Sequence, residues 1–319
     1  MTTLRSGAEQ PHRRTGSRRG GDEGDAKQQA TPRSGAEQQD RAPLVIGGLG
    51  GSGTRVYAVA LRDAGVDLGR HFNAAFDNLV FTLLFKRPHW FLTASDAAIG
   101  RHLATFTRYS RDRAFTPGDL GRLARSIVDH DPTVGRRESA ERARQAFARR
   151  PRSERRTAPA WGWKEPNSHL FLPQLIAHYP GLRFVYVARH GLDMAYSDNK
   201  NQLRNFGHQF GFPFPAEGGA DAEAAAQLGY WIHMTERAFT FAEQLGDRFL
   251  YLRFDDLCAH PEGELRRLLD FAGVAPGADL TEIASKVQTP SSSGRWRDHA
   301  AHPFSQEQLE AVRRFGFEV

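Results

Sequence analysis

The sequence predicts an α/β fold, a three-layer sandwich in which helices cover both faces of a central parallel sheet. Short, continuously apolar runs recur along the chain, as expected for strands that are buried on both faces. A pattern of helical spacing follows each run, and strands that alternate with helices form parallel sheets. The first run leads into a glycine-rich turn and a helix, an arrangement that directs backbone N–H groups at an anion.

The predicted elements begin at Pro43. Strands are predicted at four runs, "PLVIGG" (43–48), "AWGWKEP" (160–166), "LRFVYVAR" (182–189) and "RFLYLRF" (248–254). Helices are predicted after them, from Val56 to Ala64 and over 169–179, 191–203 and 264–271, where Gly273 caps the last one.

The chain divides into a tail and one domain. Residues 1–41 are rich in Gly, Ser, Gln and Arg, and such a segment cannot bury enough surface to offset its ordering entropy. It is predicted to be disordered, and residues 42–319 to form a single α/β domain in which 86–158 is a mostly helical insertion. Within that insertion, 136–156 carries nine arginines against three glutamates, which indicates a solvated helix and loop or a basic patch facing an acidic acceptor.

The composition narrows the class of protein. A hydrophobic content of 39% in 319 residues is typical of a soluble globular protein, and the net charge of +6 favours anionic ligands. A single cysteine excludes an intrachain disulfide framework and, with no signal sequence or apolar run of membrane length, predicts a cytoplasmic location. The 13 histidines show no metal-binding spacing, so no metal is predicted.

The glycine turn is the first candidate binding site. Its spacing from Gly48 to Gly53 is similar to that of a Walker A phosphate-binding loop, but Thr54 follows with no lysine between them. A strand, a glycine turn and a helix N-terminus direct N–H groups and a helix dipole at one point. The candidate anion-binding residues are Gly50, Gly51, Ser52, Gly53 and Thr54. Taken alone, the turn could also be a tight strand-to-helix connection.

A second candidate site follows the strand at 182–189. Arg189 ends this strand, so its guanidinium lies at the carboxyl edge of the sheet, where open α/β sheets bind ligands. Ser197 comes eight residues later, in the predicted helix, and could hold the same phosphate that Arg189 binds in a bidentate manner.

These two motifs resemble those of the sulfotransferase family, enzymes that use 3′-phosphoadenosine 5′-phosphosulfate (PAPS). In that family, a loop reading approximately "(K/R)-S-G-T" binds the 5′-phosphosulfate, and here "GSGTR" supplies Ser52, Gly53, Thr54 and Arg55. A strand-end arginine and a serine eight residues later bind the 3′-phosphate, which corresponds here to Arg189 and Ser197.

The resemblance continues toward the end of the chain. "RFDDLCAHPEGELRRLLDFAGV" (253–274) is similar to the strand-plus-helix segment of the family. "SSSGRWRDH" (291–299) resembles the loop that closes over the nucleotide, which implies that Arg295 and Trp296 bind it.

The family implies a reaction. A sulfuryl group would pass from PAPS to a hydroxyl or amine of a small-molecule or carbohydrate acceptor by in-line displacement, with 3′-phosphoadenosine 5′-phosphate (PAP) as product. No nucleic-acid partner or membrane span is expected, and the sequence leaves the oligomeric state open. The alternatives are a P-loop-type nucleotide-dependent kinase and a degenerate, non-catalytic nucleotide- or nucleic-acid-binding protein.

The chain departs from the family at Gly51, where a lysine or arginine usually stands. Lys164 is the candidate replacement for that charge, because "WGWKEP" resembles the "K-D-P" segment of protein-tyrosine sulfotransferases, whose lysine reaches the sulfonate. A base must also take the proton from the acceptor. Asp77 is the first candidate, although it could instead cap the helix that starts near Leu79; His71 is the second and Glu165 the third.

Overall fold

A four-stranded parallel sheet lies at the centre of the fold, as the sequence predicts. Its strands are β1 (Leu44–Gly48), β2 (Gly162–Lys164), β3 (Arg183–Ala188) and β4 (Phe249–Arg253), in the spatial order β2-β1-β3-β4. Leu44 of β1 is in register with Gly162 on one side and Arg183 on the other. All of β1 is buried, because helices cover both faces of the sheet, and this is why its sequence is continuously apolar.

The computed structural model describes residues 42–129, 140, 141, 144, 160–275, 280–299 and 302–319. The predicted tail at 1–41 lies outside the described residues, and so does the arginine-rich segment at 136–156 apart from residues 140, 141 and 144.

The helices of the described residues fall between and after the strands. Those before β2 are α1 (Thr54–Asp63), α2 (Leu79–Phe85), α3 (Pro88–Thr93), α4 (Asp96–Ser110) and α5 (Pro117–Val128). Those between β2 and β4 are α6 (Leu172–His178), α7 (Gly191–Ala195), α8 (Asn201–Phe206) and α9 (Gly219–Leu245). Those after β4 are α10 (Phe254–Ala259), α11 (Pro261–Ala272), α12 (Leu280–Ser285) and α13 (Gln306–Arg314).

Most of the predicted helices are confirmed, and one needs correction. The described part of the predicted helical insertion, 86–129, contains α3, α4 and α5. The single helix expected over 191–203 is wrong: α7 ends at Ala195, and α8 begins only at Asn201. The polar "SDNK" segment (197–200) forms a turn between them, since short polar side chains compete for backbone hydrogen bonds; Ser197, for example, accepts one from the Asn199 N–H.

Two apolar cores lie on opposite faces of the sheet. On one face, Val45, Phe184 and Tyr186 pack into a core shared with α2, α4, α6 and α9. On the other face, Ile46 and Val185 pack into a core shared with α1, α10 and α11. Successive side chains of each strand point to opposite faces, and this alternation produces the three layers.

Parallel pairing also determines where a site can form. β1, β2 and β3 all end at the same edge, at Gly48, Lys164 and Ala188. The residues that follow directly are the glycine turn, Glu165 and Arg189. Ligands of open α/β sheets bind outside this carboxyl edge.

Candidate active site

The glycine turn forms a compact cradle between β1 and α1. Gly51 and Gly53 have φ values of +97° and +81°, which residues with a Cβ rarely adopt. The Ser52 side chain is buried, and its Oγ has no hydrogen-bond partner in the described structure. A buried hydroxyl without a partner at a helix N-terminus is a donor available to an anion.

Phe254 connects this turn to Arg189. A Cβ placed on Gly53 would lie 2.0 Å from a ring carbon of Phe254, so the turn can approach the ring only because residue 53 is glycine. The guanidinium carbon of Arg189 lies 5.9 Å from the centre of the same ring. The two predicted phosphate-binding motifs are therefore joined through one aromatic side chain.

Arg189 is mostly buried, at 8% exposure, and it lies directly beyond the end of β3. Its Nη2 donates to the Oγ of Ser292 at 2.8 Å and to the Oγ of Ser293 at 3.3 Å. Its buried Nε has no partner among the described side chains and backbone. Burial lowers the pKa of the guanidinium, but from so high a value that it stays charged at neutral pH.

Ser197 lies in the turn after α7, not inside a helix as the sequence predicts. Its Oγ accepts a hydrogen bond from the N–H of Asn199 at 3.2 Å. A Cβ on Gly50 would lie 3.2 Å from Nδ2 of Asn199, so this turn packs against the glycine turn.

The segment predicted to close over the nucleotide, 291–299, rests on α7. The buried carboxylate of Asp193 accepts hydrogen bonds from the N–H groups of Gly294 at 2.9 Å and Trp296 at 3.5 Å. The Trp296 ring stacks on His190 at 5.7 Å between centroids. Arg295 donates to two backbone oxygens, those of Ser292 at 3.0 Å and Tyr196 at 3.2 Å.

Arg55 lies at the surface side of the site. It is exposed, and its Nη1 is 3.5 Å from the carbonyl oxygen of Ala74.

Two of the predicted catalytic residues form an ion pair. Lys164 is 2% exposed, and its Nζ donates to Oδ1 of Asp77 and, at 2.9 Å, to the carbonyl oxygen of Ala75. The other oxygen of Asp77 accepts from Nδ2 of Asn73 at 2.9 Å. Asp77 does not cap α2, since Asn78 accepts from the first N–H groups of that helix instead.

Glu165, the next residue after Lys164, differs from Asp77 in its hydrogen bonding, since only one of its carboxyl oxygens has a partner in the described structure. Its Oε1 accepts from Nδ2 of Asn167 at 2.7 Å. Its Oε2 is buried and has no hydrogen-bond partner in the described parts of the chain. Burial, and next the negative charge of Asp77, raise the pKa of Glu165 to about 7.

A pocket of about 160 Å³ brings the carboxylates next to the glycine turn. Its lining residues come from the glycine turn, the segment around α2, the end of β2 and the turn before α8; they are Gly50, Asp77, Lys86, Glu165, Pro166, Asn167, Asn199, Asn201 and Gln202. His71 is not among them, and its ring lies 6.5 Å from that of Tyr109.

Lys86 is a lining residue that the sequence analysis missed. It ends the apolar run of α2, and a cation directly after a buried helix is the signal that could have identified it. In the part of the chain that the structure describes, no carboxylate lies within ion-pair distance of Lys86. The one lysine among the described lining residues is therefore Lys86, which has no carboxylate partner, whereas Lys164 is not a lining residue and reaches the pocket only through its ion pair with Asp77.

Two further properties follow from the described residues. No group of three or more His, Cys, Asp or Glu side chains within them could hold a metal ion. None of their helices is long and apolar enough to cross a membrane.

A comparison with protein families identifies the class of protein to which this chain belongs. The profile of the sulfotransferase family matches residues 43–277, about three quarters of the 319 residues. The chain belongs to the sulfotransferase family. Its α/β fold with a central parallel sheet is that of the family.

Several solved structures are similar to this chain at low sequence identity. One is the sulfotransferase domain from the curacin biosynthetic pathway, at 13% identity over 88% of this chain and 98% of that one, with a TM-score of 0.49. Another is the sulfotransferase domain from the Synechococcus PCC 7002 olefin synthase, at 13% identity over 88% and 97%, with a TM-score of 0.45. A third is retinol dehydratase in complex with androsterone and the inactive cofactor PAP, at 11% identity over 86% and 79%, with a TM-score of 0.36. The comparison with curated proteins found no match.

Proposed function

We propose that this chain transfers a sulfuryl group from PAPS to a hydroxyl or amine of a small-molecule or carbohydrate acceptor. The observation that carries the proposal is the pair of buried donors without partners in the described structure, Ser52 Oγ and Arg189 Nε. Both belong to motifs at the carboxyl edge of the sheet, and buried polar groups without partners are unusual unless a ligand completes them. Membership of the sulfotransferase family supports PAPS as that ligand.

The binding role is divided between the two motifs. The N–H groups of residues 50–54 and the hydroxyls of Ser52 and Thr54 would hold the 5′-phosphosulfate at the N-terminus of α1. Arg189 and Ser197 would hold the 3′-phosphate, with Ser292 and Ser293 giving up their contacts to the guanidinium. Arg295 and Trp296 belong to the segment that would cover the nucleotide.

The pocket would hold the reacting groups. Charge on the sulfuryl oxygens and the leaving phosphate grows as the bond between them breaks, so a nearby cation stabilises the transition state. Lys164 remains the first candidate for this cation, and its pairing with Asp77 fixes its position. Lys86 is the second, since it lines the pocket and no carboxylate lies within ion-pair distance of it in the described structure. Asp77, Glu165 and His71 remain the candidates for the base.

Calorimetry of nucleotide binding tests the proposal. PAP should bind far more tightly than adenosine 5′-phosphate, because only PAP carries the 3′-phosphate that Arg189 and Ser197 would contact. ATP should also bind weakly, since the turn lacks the lysine of a nucleotide hydrolase. Equal binding of PAP and adenosine 5′-phosphate would contradict the proposal, and preferred binding of ATP with Mg²⁺ would favour a kinase.

A further inference from the structure

The two carboxylates of the pocket differ in how their oxygens are used. Both oxygens of Asp77 accept hydrogen bonds, one from the Lys164 ammonium group and one from Asn73. Glu165 has one oxygen bound to Asn167 and a second, buried oxygen without a partner among the described residues. Of the two carboxylates, Glu165 is therefore the one with an oxygen that has no hydrogen-bond partner in the described structure.

A general base also needs a pKa close to the working pH and a position beside the reacting group. Glu165 lines the pocket that Gly50 of the proposed phosphosulfate cradle also lines. The charges that face Glu165 are those of Asp77, Lys86 and Lys164. Burial and then the charge of Asp77 raise its pKa, while the hydrogen bond from Asn167 and the charges of Lys86 and Lys164 lower it by less, which leaves the pKa at about 7.

The rest of the lining indicates the chemistry of the acceptor. Apart from Gly50 and Pro166, the described residues that line the pocket are polar or charged. Pockets for phenols or steroids are lined mainly by apolar and aromatic side chains, whereas side-chain amides and charges suit a hydroxyl-rich molecule. Asn167 Oδ1 is another buried acceptor without a described partner.

We propose that Glu165 is the catalytic base, and that it takes the proton from a hydroxyl of a polar acceptor bound in this pocket. This inference rests on the proposed sulfuryl transfer. The acceptor O–H bond breaks, and the proton moves to Oε2 of Glu165. The electron pair left on the acceptor oxygen forms the new O–S bond. The bond between sulfur and the 5′-phosphate oxygen breaks, and PAP leaves with that electron pair.

Asp77 has a different role in this scheme. Its negative charge, fixed in place by Lys164, raises the pKa of its neighbour. It acts through Glu165 and is a positioning residue.

Three matched variants test the assignment, with glycerol as the hydroxyl acceptor and PAP release from PAPS as the readout. Glu165→Gln keeps the shape and the contact to Asn167 but cannot take a proton. It should lower turnover by roughly 10²–10⁴-fold, the usual contribution of a general base, while PAP affinity measured by calorimetry stays the same. Asp77→Asn should cause a smaller loss and shift the pH profile to lower pH. Glu236→Gln, at a surface ion pair with Arg314, is the control and should match the unchanged protein.

The opposite result overturns the assignment. If Asp77→Asn abolishes turnover while Glu165→Gln keeps it, Asp77 is the base. If the unchanged protein binds PAP but releases none from PAPS with glycerol present, this pocket does not activate a hydroxyl of that class.

A titration without substrate provides a second readout. In the ligand-free protein labelled with ¹³C at the glutamate carboxyl carbons, one resonance should titrate near pH 7. If every glutamate titrates in its usual range, Glu165 is an ordinary carboxylate and the inference fails. If this resonance is present but the protein binds no PAP, the proposed function is wrong, while the raised pKa of Glu165 is confirmed.

Discussion

The two halves of the site differ in how their residues are distributed along the chain. The nucleotide half, which we propose binds PAPS, consists of short motifs, the turn at 50–54 and the segment from Arg189 to Ser197, each placed by the end of one strand. The pocket half is assembled from separate segments, since Asp77 and Lys164 are 87 residues apart. The nucleotide half can be read from spacing, whereas the chemistry of the pocket depends on which side chains meet.

The two halves also differ in how they use charge. Arg189 contacts hydroxyls and an aromatic ring, so its charge remains available for a phosphate. At the pocket, Asp77 is bound to Lys164, which is not itself a lining residue. Lys86 has no carboxylate within ion-pair distance, and one oxygen of Glu165 has no hydrogen-bond partner, in the described structure. This contrast supports the proposal in which the nucleotide half would bind anions and the pocket would accept a proton.

The largest effect on stability is expected at Gly53. Gly53→Ala forces a Cβ into the Phe254 ring and requires a positive φ. The left-handed backbone costs about 1–2 kcal/mol and overpacking typically about 1–3 kcal/mol more. Gly51→Ala is the matched control, because its φ is also positive but its Cβ would meet no atom closer than 3.7 Å.

Chemical denaturation of both variants measures this difference. Gly53→Ala should lose more free energy of unfolding than Gly51→Ala, and it should also lose PAP binding. Equal losses would show that Phe254 moves aside, and that it does not couple the glycine turn to Arg189.

The next effect concerns Lys164, the first candidate for the cation that stabilises the transition state. Lys164→Ala should slow PAP release from PAPS by roughly 10²–10³-fold, the scale of removing one transition-state donor. The loss should appear in kcat and not in PAP affinity, because the charge is needed mainly in the transition state. Single-turnover kinetics with calorimetry separate the two.

Lys86→Met is the comparison for this prediction. It breaks no ion pair among the described residues, so its melting temperature should stay close to that of the unchanged protein. If Lys86→Met slows turnover and Lys164→Ala does not, Lys86 supplies the charge that the turn lacks at Gly51.

Glu165 should also leave a signature in the pH dependence of stability. Its folded pKa of about 7 lies above its usual value of 4.5, so the folded state binds more protons than the unfolded state between these values. Stability from this group is full below about pH 4.5 and falls as the pH rises toward 7. Glu165→Gln has no such loss and should be more stable than the unchanged protein at pH 8, by on the order of 3 kcal/mol.

Denaturation curves at pH 8 and at pH 4 check this prediction. The two proteins should differ at pH 8 and converge at the lower pH. A variant that is less stable than the unchanged protein at pH 8 would indicate a structural role for the carboxylate.

The smallest effect is expected on the nucleotide side. Arg189→Ala removes a charge-assisted contact and should weaken PAP binding by about 1.5–3 kcal/mol, roughly 10- to 150-fold. Binding of adenosine 5′-phosphate should change little. Arg314→Ala, at a surface ion pair, is the control for general charge effects. An equal loss for both nucleotides would show that Arg189 does not contact the 3′-phosphate.

Much of the fold follows from local patterns in the sequence. The strands β1 and β3 coincide with apolar runs, because parallel strands buried on both faces need apolar side chains at almost every position. β4 also lies in a predicted run, but it is an edge strand in which buried and partly exposed residues alternate. The break between α7 and α8 was not predicted, although residues 197–202, which include the turn, are all polar.

The candidate site could be predicted only in part, because local patterns in the sequence do not show which distant side chains come together. Asp77 was expected to be a base or a helix cap, yet the cap is the adjacent Asn78, and Asp77 pairs with Lys164. The two residues carry opposite charges, but an ion pair between segments 87 residues apart in the chain cannot be predicted from spacing. The absence of a hydrogen-bond partner for Oε2 of Glu165 in the described structure likewise depends on its burial and on the contact of its other oxygen with Asn167. Only the fold determines these two features.

The most direct test of PAPS-dependent transfer in this pocket is a pH profile of the unchanged protein. PAP release from PAPS, with glycerol as acceptor, would be measured from pH 5 to 9, with PAP affinity determined in the same samples. We expect kcat/KM to rise through about pH 7 as Glu165 loses its proton, while PAP affinity stays nearly constant between pH 6 and 8. If PAP binds with the same affinity across this range but kcat/KM does not change, the assignment of proton transfer to Glu165 is contradicted.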